Sequence, residues 1–192
     1  INAAQGRPQL SVGIDNYGGA RAMVTHLIEA GYRRIAFIDG PEDNDDARER
    51  KRGYRDALAA AGETYTPWEL PGQFDEDSGH RAGQALLALD SRPDAVFAAN
   101  DMMAIGCLYA LGRGGVRTPA DIAVVGFDDI PLARYVHPSL TTMRVDIAEL
   151  GARALKALVA LEAHVDGAPP GDDALLRPVL VVRDSCGRRS PQ

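Results

Sequence analysis

Short, unbroken apolar runs alternate with amphipathic stretches along most of this chain. Ile35-Ala36-Phe37-Ile38, Ala95-Val96-Phe97-Ala98 and Ile122-Ala123-Val124-Val125-Gly126-Phe127 contain no polar side chain. Runs of this length, without the two-residue alternation of a half-exposed strand, predict parallel strands covered on both faces. Between them, apolar positions recur at helical spacing. Ala20, Val24, Leu27 and Ile28 form one face of a helix over Tyr17 to Ala30, which Asp15-Asn16 can cap and Gly31 can stop. A second helix is expected from Asp46, whose spacing to Glu49 resembles a capping box, to about Ala61. A third runs roughly from Glu76 to Leu89, after the loop Pro71-Gly72-Gln73-Phe74-Asp75, and a fourth from Met102 to Leu111. Leu10 to Ile14 and part of Thr64 to Leu70 read as further short strands. Such strand–helix alternation marks an α/β fold with a doubly wound parallel sheet.

The pattern changes after Pro131. Tyr135 to Thr142 is a proline-containing connection, and Met143-Arg144-Val145 is short and extended. Ile147, Leu150, Ala154, Leu158, Leu161 and Val165 then step at helical intervals and predict an amphipathic helix. Ala168 to Asp173 is a loop, Val179 to Val182 a last buried strand, and Gly187 to Gln192 a polar tail expected to be mobile. The first strand and the last helix and strand are hard to place on the central sheet. They read as pieces of a second lobe.

Size and composition narrow the function. With 192 residues, 45% of them apolar and 25% charged, the chain resembles an ordinary globular protein able to bury a core. No apolar run approaches the ~20 residues of a membrane span, so no membrane partner is expected. The opening Ile1-Asn2-Ala3-Ala4-Gln5-Gly6, without a starting Met or a basic leader, reads as part of something longer, with the cytoplasm as default compartment. Cys107 and Cys186 lack metal-like spacing, and neither a metal nor a cofactor is expected. A net charge of −6 argues against these residues gripping DNA themselves. The basic clusters Arg33-Arg34 and Arg48 to Arg52 read as solvated helix faces.

The strands that end near residues 98 and 127 deliver Asn100-Asp101 and Asp128-Asp129 to one rim, the carboxyl edge where open α/β sheets bind ligands. An amide and carboxylates there suit a polyhydroxylated or amine-bearing ligand better than a phosphate. Each pair needs one residue as a helix cap, which frees its neighbour; Asn100 and Asp128 are the favoured ligand contacts. Arg50 lies inside the apolar stripe Ala47, Tyr54, Ala57 or Leu58, Ala61, one turn from its helix start. It reads as a ligand-binding fork or as a buried structural ion pair. Phe74, in a loop at the same edge, is either a platform for a ligand face or a hydrophobic plug. The helix Met102 to Leu111 has no charged residue and is apolar nearly all round, so Ile105, Leu108 and Tyr109 are candidates for a subunit interface, against burial under the same chain.

Catalytic signatures are scarce. No nucleophile elbow, P-loop, dinucleotide fingerprint or zinc-protease motif is present, and His26, His80, His137 and His164 show no ligand spacing. Adjacent carboxylates at Asp128-Asp129 fit a cap and a hydrogen-bond acceptor better than glycosidase chemistry. No catalytic residues are assigned, and the chain is not expected to be an enzyme.

Several segments, in order, resemble the LacI/GalR family of bacterial transcription regulators. They are Ile14 to Ala20, His26-Leu27, Gly31 to Gly40, Arg50 to Tyr54, Asp94 to Asp101, Asp121 to Asp129 and Pro138 to Arg144. The resemblance implies a two-lobed, periplasmic-binding-protein-like core that closes on a small effector, a sugar or similar polyol or a nucleobase, and modulates operator binding. Residues 1–14 would end an incomplete N-terminal lobe and cross over, 15–142 would form the C-terminal lobe, 143–178 would return to the N-terminal lobe, and 179–192 would be the last crossover and tail. By motif position Arg50, Phe74, Asn100 and Asp128 would contact the effector. Family dimers imply a homodimer through the helix after Asn100-Asp101 and the segment near Tyr135. Operator DNA would be bound through an N-terminal helix-turn-helix domain absent from this chain. The alternative is a periplasmic sugar-binding protein of a transporter, which shares the fold.

Overall fold

The computed structural model describes residues 12–62, 64–162 and 175–187. In chain order these form β1 (Gly13–Ile14), α1 (Asn16–Glu29), β2 (Ile35–Ile38), α2 (Asp45–Ala60), β3 (Trp68–Leu70), α3 (Glu76–Leu87), β4 (Ala95–Ala98), α4 (Asp101–Arg113) and β5 (Ala123–Asp128). A 3-10 turn (Pro131–Arg134), β6 (Thr141–Arg144), α5 (Ile147–Glu162), β7 (Leu175–Leu176) and β8 (Val179–Val181) follow. The polar tail 188–192 and the loop Ala168 to Asp173 lie outside the described residues, as does most of Leu10 to Ile14's first half.

Six strands form one sheet in the order β3-β2-β4-β5-β6-β8. All neighbours are parallel except β6 and β8. The chain leaves β2 in one direction, to β3, and then passes back over β2 to β4, so the order reverses between β2 and β4. At such a switch point the helices diverge and leave a crevice at the carboxyl ends of the strands. α1 packs with α2 and α3 with α4, and these pairs cover the sheet. Every residue of β2 and β4 is buried, as the unbroken apolar runs require. Phe37 stacks on Tyr54 at 5.0 Å and tilts against Phe97 at 5.2 Å, which joins α2 to the sheet centre.

The structure departs from the sequence reading in four places. Asn44, not Asp46, caps α2, accepting from the Ala47 N–H at 3.0 Å; Asp46 is left free to accept from Asn16. β8 joins the main sheet antiparallel to β6, pairing Thr142 with Val181, and so covers an edge that would otherwise be open; as the new edge strand it is not buried as expected, with Val179 61% exposed. Leu175-Leu176, for which no strand was expected, pairs in parallel with β1 in a separate two-stranded sheet. Finally, the apolar stripe of α5 is not buried by the described residues: Ile147 is 64% and Leu158 55% exposed.

The apolar character of α4 is explained in part by α3, which crosses it at backbone contact. A Cβ on Gly106 would lie 2.0 Å from the Glu76 carbonyl oxygen, and one on Gly79 would lie 2.1 Å from that of Met103. Gly106→Ala is therefore expected to cost about 1–3 kcal/mol, whereas Gly112→Ala, in the same helix with nothing within 4 Å, should gain about 0.5–1 kcal/mol. Urea unfolding of the two variants checks this; a neutral Gly106→Ala would contradict the close crossing.

Candidate functional site

Arg50 organises the rim. It projects from the first half of α2 toward the carboxyl ends of β4 and β5, and it is 5% exposed. Its Nε donates to Asn16 Oδ1 at 2.7 Å, and its Nη1 donates to the Ala99 carbonyl, just beyond β4, at 2.5 Å. The guanidinium carbon lies 3.9 Å from the centre of the Phe127 ring, at the end of β5, and 5.8 Å from that of Phe74. Nη2 faces Asp128 Oδ1 at 3.4 Å. That ion pair is longer than the ~2.7–2.9 Å of a well-formed charge-assisted hydrogen bond.

The supports of Arg50 are themselves held. Asn16, the first residue of α1 and buried, donates from Nδ2 to Asp46 Oδ1 at 2.9 Å. Asp15 caps that helix instead, accepting from the Gly18 N–H at 2.7 Å. A chain of polar contacts thus runs Asp46, Asn16, Arg50, Asp128. Burial lowers the pKa of Arg50, opposed by Asp128, Asp46 and Asp101. Burial also pushes Asp128 up to about 6, against the charge of Arg50, with Asp46 adding to the rise.

Phe74 sits at a φ of 62°, and its ring lies on Gly40, where a Cβ would come within 2.5 Å of Cζ. Its carbonyl accepts from Asn100 Nδ2 at 2.9 Å, while Asn100 Oδ1 accepts from the Met103 N–H at 2.9 Å. Asn100 therefore caps α4 and pins the Phe74 loop with the same side chain. Its neighbour Asp101 is fully buried: Oδ1 accepts from the Thr142 hydroxyl at 2.5 Å and Oδ2 from the Ile130 N–H at 2.9 Å. Gly126 leaves the room for this carboxyl, since a Cβ there would lie 2.2 Å from Asp101 Oδ1. Burial lifts Asp101 to about 7, against the Thr142 and Ile130 hydrogen bonds and with the Asp128 and Asp129 charges adding to the rise.

Arg50, Phe74 and Asp128 thus come together directly, and Asn100 joins them through the Phe74 backbone. Among the described residues, the non-glycine positions with positive φ are Phe74, Asp128 and Asp129. Such backbone costs of order 1–3 kcal/mol per residue and clusters at functional sites. Away from the rim, Tyr109 and Tyr135 are 62% and 80% exposed, while Ile105 and Leu108 are half-buried against the core. Among the described residues, no group of three or more His, Cys, Asp or Glu is placed to hold a metal, and no helix they form is long and apolar enough to cross a membrane.

Residues 24–186 match the family model of the periplasmic binding protein-like domain. The regulator CelR of Thermobifida fusca, an HTH-type transcriptional regulator, is 43% identical over 149 residues, covering 77% of this chain and 44% of that protein. A CelR–cellobiose complex matches with a TM-score of 0.81 and 37% identity over 95% of this chain and 56% of that one. The lac repressor dimer bound to operator and an anti-inducer matches with a TM-score of 0.84 and 31% identity, over 91% and 59% of the respective chains. The chain belongs to the LacI family of transcriptional regulators. It spans about half the length of the curated relatives it matches, and carries the effector-binding core of the LacI family, with its mostly parallel sheet.

Asn16, Phe127, Thr142 and Asp129 take part in the site although the sequence singles out none of them as a ligand contact. Asn16 had a usable signal: like Asn100-Asp101, Asp15-Asn16 is a polar pair at a strand end of which only one residue is needed as a cap. Phe127 ends an apolar run and nothing local distinguishes its ring as the bed of a cation. Thr142 reaches Asp101 across 41 positions, and no local pattern carries that contact.

Asp101 makes the pH dependence of stability testable. Its pKa is raised from 3.8 to about 7 in the folded state, so the unfolded chain releases the proton first. Its stabilising share is complete below about pH 4 and is lost as pH rises through about 7, on the order of 4 kcal/mol at about 1.4 kcal/mol per pK unit. Asp128, raised to about 6, contributes in the same sense and His26, lowered by burial against the opposing charge of Glu29, in the opposite one; a variant that keeps both gives the share of Asp101 by difference. Asp101→Asn, which keeps the shape without the titration, should flatten the fall in denaturation free energy between pH 4 and 7 relative to the unchanged protein. Parallel pH profiles for the two would contradict the assignment.

Proposed function

We propose that this chain is the effector-sensing part of a DNA-binding transcription regulator, and that a small sugar binds over Arg50 and Asp128. The observation that carries this reading is the loose ion pair. A buried guanidinium is fixed on three sides, and its remaining nitrogen stands 3.4 Å from a carboxylate that is one-third exposed. A donor and an acceptor side by side fit the adjacent hydroxyls of a sugar, each able to accept from Arg50 and donate to Asp128. Phe74 offers an aromatic surface to the apolar face of the same ligand. Asn100 contributes by holding the Phe74 loop, and through its amide where the ligand reaches it.

In this reading residues 15–142 form the C-terminal lobe, 143–178 return to an N-terminal lobe, and 1–14 and 179–192 hold the remaining crossings. The exposed apolar stripe of α5 supports a second-lobe surface lying against it. The ligand bridges the lobes and changes their angle, which alters the spacing of two DNA-binding heads in a homodimer. Ile105, Leu108, Tyr109 and Tyr135 are the proposed dimer contacts, two of them half-buried and two exposed. Operator DNA is bound through an N-terminal domain outside this chain, in the cytoplasm. The relatives are transcriptional regulators, so the reading as a transporter's sugar-binding protein is not favoured.

The test is to titrate a panel of mono- and disaccharides, cellobiose and ribose included, into the full-length protein while following operator binding. One sugar should change DNA affinity by ~5–150-fold, and Asp128→Asn should blunt that response by at least ~10-fold, as expected when a charged hydrogen-bond partner is lost. If no small molecule changes DNA affinity, the sensing model fails.

A further inference from the structure

Asp128 and Asp129 are consecutive non-glycine residues at φ values of 115° and 58°. Glycine adopts such backbone without strain, yet carboxylates occupy both positions. Strain of this kind persists where surrounding contacts over-determine it, and the contacts here belong to Asp129. Its side chain is 1% exposed although it stands in a rim loop. One oxygen accepts from Arg144 Nε at 2.7 Å, the other from Arg183 Nη2, and Arg134 Nη2 approaches to 4.0 Å. Burial alone would raise the carboxyl's pKa; the hydrogen bonds from Arg144 and Arg183 outweigh it and lower it.

Both arginines are anchored to strands. Arg144 ends β6 in register with Asp128, and the Val145 N–H donates to the Asp128 carbonyl at 3.2 Å. Arg183 follows β8; its Nη1 donates to the Leu140 carbonyl at 2.7 Å and its backbone N–H to the Thr141 hydroxyl at 2.8 Å. The Asp129 carboxylate therefore ties the loop after β5 to the ends of β6 and β8.

We propose that Asp129 is a positioning residue for Asp128: clamped between Arg144 and Arg183, it holds the strained turn that aims Asp128 at Arg50 and makes that turn one mechanical unit with the ends of β6 and β8. A shift of either strand end then moves Asp128, and a ligand that pulls on Asp128 moves the strand ends. The functional meaning of this clamp rests on the effector reading of Asp128; its geometry does not, and the test below needs no ligand.

The carboxyl carbon of Asp128 is followed by NMR in full-length protein with 13C-labelled aspartate, assigned through Asp128→Asn. Asp128 is faced by Arg50, Asp46 and Asp101, all retained in the variants below. In the unchanged protein its midpoint is expected at about 6. In Arg144→Met/Arg183→Met, removing two positive charges alone would raise that midpoint. Release of the turn instead frees Asp128 into water, and the midpoint should fall toward the ordinary carboxylate value of about 3.9. The single variant Arg144→Met, at a half-exposed position, should show a smaller fall in the same direction and serves if the double variant does not fold. Arg183→Lys, which keeps the charge and a donor, should stay near the unchanged protein. A midpoint that stays or rises in the methionine variants overturns the proposal. Failure of the sugar panel to alter DNA binding would overturn the effector reading and leave this titration standing.

Discussion

A buried guanidinium that is fixed but not fully paired is the constraint on which the rest of the site depends. Arg50 could not sit in the apolar stripe of α2 without compensation, because an unpaired buried charge is strongly destabilising. Compensation comes from four groups at once: the Asn16 amide on α1, the Ala99 carbonyl after β4, and on β5 the Phe127 ring and the carboxylate of Asp128, its last residue. These groups meet because the strand order reverses between β2 and β4 and the helices part there. Open α/β sheets have their crevice at such a reversal, and the arginine fixes the geometry of the rim there. One contact, to Asp128, is left longer than the others. That remaining capacity is what a ligand can use.

The backbone around this arginine bears the strain. Phe74, Asp128 and Asp129 occupy left-handed conformations that side chains disfavour, and each is held by something specific: Phe74 by the Asn100 amide donating to its carbonyl, Asp128 by the Val145 N–H donating to its carbonyl, and Asp129 by Arg144 and Arg183. Asn100 illustrates the economy of the arrangement, since one side chain both starts α4 and fixes the loop that presents the aromatic ring. Asp101 does the same one residue later, joining the start of α4 to β6 and to the turn after β5. A preorganised site of this kind spends little of its ligand's interaction energy on ordering itself.

The sheet and most helices were legible in the sequence because burial on both faces leaves an unbroken apolar run, and β2, β4 and β5 each carry one. Arg50 was legible for the opposite reason, as a charge where the helical period demands an apolar residue. Knowing which strand ends share a rim brings Asn100 and Asp128 to one edge, but Asn100, expected to be free of the cap of α4, is itself that cap. What was not legible depends on long-range geometry. Nothing in Val179-Leu180-Val181 states that it pairs antiparallel with β6, and nothing local states that α2 starts at Asp45 with Asn44 as its cap, leaving Asp46 inside the helix to accept from Asn16 on another helix. The division of labour within Asn100-Asp101 and Asp128-Asp129 was equally hidden. Either residue of each pair could cap or reach, and only tertiary partners such as Thr142, Arg144 and Arg183 decide between them. α5 forms as the amphipathic helix its periodicity predicts, and the described residues do not bury its apolar stripe.

The central claim, that Arg50 and Asp128 present one donor and one acceptor to a bridging hydroxyl pair, is tested most directly by a crystal structure of the full-length protein with a bound sugar. The account predicts ligand hydroxyls within hydrogen-bonding distance of both Arg50 Nη2 and the Asp128 carboxylate, with the ring face toward Phe74. A sugar seated in the interlobe cleft and touching neither Arg50 nor Asp128 would contradict it.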